Sequence, residues 1–136
     1  MSKAPLPAPI VNADSAPYWN AAREGKLVLP RCRNCGHTFF MPRHQCPACW
    51  SDDLAWEEAS GRGKVHSFSI VRRASLAAFA ARTPYVLALI DLEEGPRMMS
   101  NILGEDALET RVGDAVEVCF EECEGGAKLP QFQRKA

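Results

Sequence analysis

Cys32-Arg33-Asn34-Cys35 and, ten residues further on, Cys46-Pro47-Ala48-Cys49 form the stretch on which the reading of this chain turns. A two-residue gap lets the backbone fold back so that both sulfurs of a pair face one ion, and two such pairs complete a tetrahedron. Thiolates are soft ligands, and four of them suit zinc first and rubredoxin-like iron second. Disulfides are the competing explanation, but no secretory signal accompanies the spacing. Four cysteines also fill the coordination sphere, so no position stays open for water or substrate. The expectation is therefore a structural Zn2+ held by Cys32, Cys35, Cys46 and Cys49. His37 and His44 read as exposed loop residues rather than ligands.

Working outward, Gly36 follows the first pair where a knuckle needs positive φ. Trp50 stands at the matching place after the second pair, a departure that strains or reshapes that knuckle. His37–Met41 reads as a hairpin strand between the pairs, with Lys26–Arg31 as a strand before them and Leu54–Glu58 as one after. Upstream, Asp14 to Gly25 reads as a short helix, with Asp14 or Ser15 as cap, Pro17 in the first turn and Gly25 as stop. It places Tyr18, Trp19 and Ala22 on one side. Residues 1–13 carry Pro5, Pro7 and Pro9, which predicts an extended or disordered arm, either free or lying on a partner.

Beyond the cysteines, Ser60-Gly61-Arg62-Gly63-Lys64 reads as a turn-rich hinge. After it the pattern changes to period two. Strands are predicted at Val65–Arg73, Tyr85–Leu92, Arg97–Leu103, Ala115–Glu122 and Lys128–Arg134, with a short helix over Gly104–Thr110. Tyr85–Leu92 is apolar on both faces and should be covered on both. Five strands with a helical piece between the third and fourth match a small Greek-key barrel of the OB type. The fold class is thus mainly β, with an N-terminal helix and a rubredoxin-like zinc ribbon followed by a five-stranded OB-type barrel. The expected organisation is an arm at 1–13, helix and ribbon at 14–59, and barrel at 60–136. The connection Ala74–Ala81 is unusually apolar for a surface loop, and marks either a binding surface or a plug at the barrel end.

Charge is unevenly placed although the net charge is only −1. Residues 1–82 hold 11 Lys/Arg against 6 Asp/Glu, and residues 83–136 hold 5 against 11. The acidic second half and near-neutral total disfavour a dedicated nucleic-acid binder. A single-stranded nucleic-acid module remains the alternative, because ribbons and OB barrels both serve that role. No apolar run has the length of a signal sequence or a membrane span. A reducing cytoplasm is the expected location, with no membrane contact.

The order of short motifs also carries a resemblance. Gly25-Lys26-Leu27, Arg31-Cys32-Arg33-Asn34-Cys35-Gly36, Pro42-Arg43, Cys46-Pro47, Gly61-Arg62-Gly63-Lys64-Val65, Thr83-Pro84-Tyr85-Val86, Gly113-Asp114 and Leu129-Pro130-Gln131-Phe132 follow one another from Tyr18 to Phe132. In this order they resemble the acyl-CoA-associated zinc-ribbon/OB-fold family. The resemblance implies a small companion of a thiolase-superfamily enzyme. The large partner would carry the catalytic cysteine and histidines, and the small subunit would bridge proteins and complete a CoA-thioester site. It also implies CoA or acyl-CoA as a ligand shared with that partner in a hetero-oligomer.

The residues agree with a non-catalytic role. Cys119 alternates outward between Glu117 and Glu121, and Cys123 lies in a Glu-rich turn; negative neighbours disfavour a thiolate. His66 has no evident acid partner in the sequence. For CoA phosphates the candidates are Arg72, Arg73 and Arg82, which flank the apolar connection, with Arg31, Arg33 and Arg43 around the knuckles as a second set.

Overall fold

The computed structural model describes residues 5–135; the first four residues of the predicted arm and Ala136 lie outside them. Helix α1 (Ala16–Arg23) leads to β1 (Val28–Cys32) and β2 (Leu54–Glu58), which pair antiparallel around the cysteine-bearing loops. The barrel strands are β3 (Arg62–Val71), β4 (Tyr85–Leu92), β5 (Arg97–Leu103), β6 (Ala115–Glu122) and β7 (Lys128–Arg134). They close in the order β3-β4-β5-β7-β6, with β6 returning to β3. A single helical turn, α2 (Ala77–Ala80), lies between β3 and β4, and a 3₁₀ turn (Ala107–Glu109) between β5 and β6. Among the described residues no helix is long and apolar enough to cross a membrane.

Four elements, β4 to β7, fall at the bounds read from the sequence. The stretch 60–64 does not behave as a hinge, because β3 already begins at Arg62. Its glycines answer to packing. A Cβ on Gly63 would stand 2.7 Å from Ile90 Cγ2 and 2.8 Å from the Asp91 carbonyl oxygen. One on Gly61, whose φ is +82°, would stand 2.5 Å from Val118 Cγ1. Glycine is what allows β3 to run so close to β4 and β6. A register shift between Val65 and Ser67 bulges β3 at His66 and bends it, so that one strand pairs with both β4 and β6. The predicted strand His37–Met41 is reduced to one bridge, Arg31 to Thr38. The predicted helix over 104–110 is the 3₁₀ turn alone.

One hydrophobic core runs through helix, ribbon and barrel. Tyr18, Leu27 and Leu29 join Val65, Val86, Ile90, Ile102, Val116 and Phe132 in a single buried cluster. Tyr18 stacks edge-on to Trp19 at 4.9 Å and to Phe40 at 5.9 Å, which docks α1 on its own chain. Burial pushes the Tyr18 phenol well above its usual pKa. The start of α1 is fixed by a reciprocal pair rather than by Asp14 or Ser15 alone. Asn12 Oδ1 accepts the Ser15 amide at 2.9 Å, and Ser15 Oγ accepts the Asn12 amide at 3.1 Å. The proline-rich arm is anchored to the barrel. Leu6 is 2% exposed, and its carbonyl accepts the Glu124 amide at 3.0 Å. On β4, Val86, Ala88, Ile90 and Leu92 are buried, while Tyr85, Leu87, Leu89 and Asp91 are half-buried. The outer face of β4 is thus covered only in part, contrary to the expectation from its composition.

Barrel closure between β5 and β7 rests on two parallel residue pairs, Ile102 with Phe132 and Leu103 with Gln133. Where that short ladder ends, side chains take over. Gln131 Oε1 accepts the Asn101 backbone amide at 3.1 Å and the Ser100 hydroxyl at 3.0 Å. Gln131 Nε2 donates to Asn101 Oδ1 at 3.3 Å and to Glu121 Oε1 at 3.2 Å. Ser100 Oγ also reaches the Pro130 carbonyl at 3.0 Å. Gln131 and Ser100 are both buried, so each unmade bond would leave a polar group dry.

Two expected outcomes follow from these placements. Gln131→Ala removes the acceptor of the half-buried Asn101 amide and destabilises by about 2–3 kcal/mol, whereas Gln133→Ala, at an exposed position of the same strand, changes stability by less than about 0.5 kcal/mol; urea midpoints measure both. Trp50 sits at φ +69°, close to the +78° of Gly36 in the first knuckle. Trp50→Gly relieves left-handed strain in an exposed residue and raises the unfolding free energy of the zinc-loaded protein by about 0.5–1 kcal/mol, read from urea midpoints, while Trp50→Ala does not.

Candidate functional site

The two knuckles are built alike. The Gly36 amide donates to the Cys32 carbonyl at 2.9 Å, and the Trp50 amide to the Cys46 carbonyl at 2.8 Å. Each turn carries its cysteine pair inward. Cys32 lies 3.6 Å from Cys49 and Cys35 lies 3.6 Å from Cys46, sulfur to sulfur. All four sulfurs fall within 4.8 Å of one another. A tetrahedron with Zn–S bonds of about 2.3 Å has edges of about 3.8 Å, so the constellation fits zinc. Cys32 and Cys46 are buried, Cys49 is half-buried and Cys35 is exposed.

Donors converge on these sulfurs. The Cys35 amide approaches Cys32 Sγ and the Ala48 amide approaches Cys46 Sγ, each at 3.4 Å. Asn34 Nδ2 approaches Cys49 Sγ at 3.6 Å. Cys49 is held down to about 6 by the Ser51 backbone bond first and by Asn34 next. Cys35 is pulled down by the His37 backbone bond, but desolvation and the three neighbouring thiols outweigh this and push it up to about 12. A cation at the centre removes that conflict by deprotonating all four. His37 stacks on Phe39 at 5.9 Å, and His44 Nδ1 faces Asp14 at 3.7 Å, so neither belongs to the sulfur cluster.

The remaining candidates are dispersed. Burial pushes the Cys119 thiol up, with Glu121 adding to it. Burial also leads for Cys123, followed by Glu124 and Glu121, and its sulfur donates to the Ala127 carbonyl at 3.3 Å. The acidic neighbours are thus the smaller cause and desolvation the larger. His66 does have an acid partner. Its Nδ1 lies 3.2 Å from Asp91 Oδ2, and Arg97 Nε binds Asp91 Oδ1 at 2.6 Å. This pairing depends on the bulge in β3 and on cross-strand register, which the sequence does not display.

Arg72 and Arg73 are exposed in the connection after β3 and make no ion pair among the described residues. Arg82 is different. Its guanidinium is paired with Glu121, and both side chains are mostly buried. Arg31 and Arg33 face Glu57 at 3.5 Å and Asp53 at 3.0 Å.

A groove of about 530 Å³ runs between the ribbon, α1, α2 and the outer face of β4, β5 and β7. Trp19, Phe40, Met41, Phe79, Leu87 and Met99 give it an apolar wall, and the Ser100–Asn101–Gln131 network forms its floor. Its residues come from six separate stretches of chain, which is why sequence reading found Trp19 and the apolar 74–81 connection but not the groove.

Comparison with known proteins bears on both halves. Residues 19–55 match the ChsH2 rubredoxin-like zinc ribbon domain, and residues 56–121 match the ChsH2 C-terminal OB-fold domain. A probable enoyl-CoA hydratase alpha subunit of Thermomonospora curvata is 34% identical over 131 residues, which is 96% of this chain and 40% of that protein. The chain therefore spans about 40% of the length of that relative. A DUF35 domain-containing scaffold protein of Methanothermobacter thermautotrophicus is 38% identical, over 69% of this chain and 71% of that one. The benzoylsuccinyl-CoA thiolase subunit BbsA of Thauera aromatica is 33% identical, over 61% of this chain and 60% of that one. Among solved structures, a chain of the Ltp2-ChsH2(DUF35) aldolase superposes with a TM-score of 0.84 at 33% identity, covering 93% of this chain and 98% of that chain. A four-cysteine ribbon, a closed five-stranded barrel and these likenesses agree, and the chain belongs to the DUF35 family, with a ChsH2-type zinc ribbon followed by a ChsH2-type OB-fold domain.

Proposed function

We propose that this chain is a non-catalytic, zinc-containing subunit of an acyl-CoA-processing complex whose thiolase-like partner carries the reacting groups. The observation that carries the reading is the likeness, over 93% of the chain, to a chain of the Ltp2-ChsH2(DUF35) aldolase. The relatives named as a scaffold protein and as a thiolase subunit point the same way. The chemistry on the chain is compatible with it. Four sulfurs complete the coordination of a zinc ion and leave no site for substrate. The two cysteines outside that cluster are pushed away from the thiolate form that a nucleophile needs.

In this reading the ribbon and barrel hold a fixed surface against the partner, and the CoA thioester lies where the two proteins meet. Arg72 and Arg73 supply cations for its phosphates. Arg82 contributes less, because Glu121 already balances its charge. The complex is a cytoplasmic hetero-oligomer. A single-stranded nucleic-acid module is the weaker reading. Such modules combine stacking platforms with a positive groove, and the aromatic groove here has no Lys or Arg among its described lining residues.

Two outcomes test this. Stripping the metal with a strong chelator unfolds the ribbon and, through the shared core, lowers the thermal midpoint of the whole chain by at least about 10 °C; metal analysis before treatment finds stoichiometric zinc. Mixing the chain with a thiolase-superfamily subunit from the same genome that copurifies with it yields acyl-CoA turnover that neither protein shows alone. In that mixture the Arg72→Ala/Arg73→Ala variant raises the acyl-CoA KM about five-fold with kcat unchanged. Turnover by the isolated chain overturns the reading.

A further inference from the structure

The four sulfurs of the metal centre are not equivalent. Cys32 and Cys46 are fully buried, Cys49 is half-buried and Cys35 is exposed. The space beside Cys35 is open as well. A Cβ built on Gly36 would meet nothing beyond its chain neighbours closer than Arg31 Nη2, at 3.8 Å. In the second knuckle the matching position carries the indole of Trp50. The two turns share the same backbone bond, so the difference lies in what stands around each sulfur.

The donors are unequal too. Cys49 receives the Ser51 amide and Asn34 Nδ2, the latter at 3.6 Å. Cys35, apart from the neighbouring thiols, receives the His37 amide alone. Each such donor draws charge from a thiolate and lowers its nucleophilicity. Cysteine modification follows thiolate character and access. All four sulfurs are thiolates when zinc is bound, so access and donors decide between them. Cys32 and Cys46 lack access, and Cys49 carries two donors. Cys35 is the sulfur that is both open and held by a single amide.

We infer that Cys35 is the site at which small electrophiles and peroxides modify the zinc centre, with Asn34 shielding Cys49, the other sulfur within reach. The inference stands apart from the accessory-subunit reading. With an alkyl halide such as iodoacetamide, the Cys35 sulfur displaces iodide and forms a thioether. With hydrogen peroxide, the O–O bond breaks as the Cys35 sulfur takes one oxygen, giving a sulfenic acid and hydroxide. The Cys46 thiolate, 3.6 Å away, then attacks that sulfur, expels a second hydroxide and closes a disulfide. Two electrons leave the two sulfurs and reduce one peroxide. With two thiolates gone the cage no longer holds its ion, and the ribbon loop loses the tie that sets Phe40 against Tyr18.

The test uses the full-length, zinc-loaded protein with Cys119→Ser and Cys123→Ser, which leaves the four ligands as its only thiols. Sub-stoichiometric iodoacetamide, followed by peptide mapping of the singly alkylated fraction, places at least about ten times more adduct on Cys35 than on any other cysteine. Asn34→Ala leaves zinc content unchanged and narrows the ratio of Cys35 to Cys49 adduct about five-fold. An unchanged ratio overturns the shielding role. Equimolar hydrogen peroxide releases zinc to a chromogenic chelator and leaves a Cys35–Cys46 disulfide, and dithiothreitol with added zinc restores the thermal midpoint. Adduct led by another cysteine or spread evenly over the four overturns the inference, as does a Cys32–Cys49 disulfide as the initial product. A centre that stays unmodified under conditions that fully alkylate the metal-free chain overturns it too.

Discussion

Four sulfurs that repel one another until a cation joins them are the constraint on which the rest of this chain depends. Between β1 and β2 the polypeptide has one backbone bridge and no regular element. A segment so poor in ladder hydrogen bonds does not hold a shape through its own core. The metal centre supplies what is missing, because binding free energy at a four-cysteine site is folding free energy. Once Cys32, Cys35, Cys46 and Cys49 are gathered, Phe39 is buried and Phe40 meets Tyr18. The position of α1 follows from that contact, and so does one wall of the groove.

The ribbon is therefore not an independent appendage. Tyr18, Leu27 and Leu29 share a cluster with the barrel strands, and Arg23 of α1 reaches the Gly125 carbonyl at 3.5 Å on the turn before β7. Leu6 ties the arm to the same turn. Metal, helix and barrel are thus coupled through apolar burial, the dominant favourable term in folding. In such an arrangement a partner that grips the ribbon also fixes the barrel.

Much of this was legible in the sequence, for local reasons. Metal-ligand spacing is a property of a few adjacent residues, so the four cysteines stand out without a structure. Alternation made β6 legible, because one buried face forces a period of two, while β4 stood out as a continuous apolar run of eight residues. Trp50 was conspicuous because the other knuckle has glycine in its place, and the two φ values agree with that reading. What escaped depends on contacts between distant residues. Gly61 and Gly63 look like turn formers until Val118 and Ile90 are seen against them. Arg82 looks free until Glu121, 39 positions away, is placed beside it. His66 looks solitary until a bulge turns it toward Asp91. The groove escaped altogether, since no single segment contains enough of it.

The seam between β5 and β7 has one more consequence. A backbone ladder is the same in every sequence, but here most of the closure is made by Ser100, Asn101 and Gln131. The seam is consequently held in part by residue identity at that line and not by the backbone ladder alone. Shorter or longer polar side chains there would narrow or widen the floor of the groove and leave the other four strand pairings in register. The floor of the groove is thus tuned by a few side chains along one line, at a distance along the chain from the four cysteines.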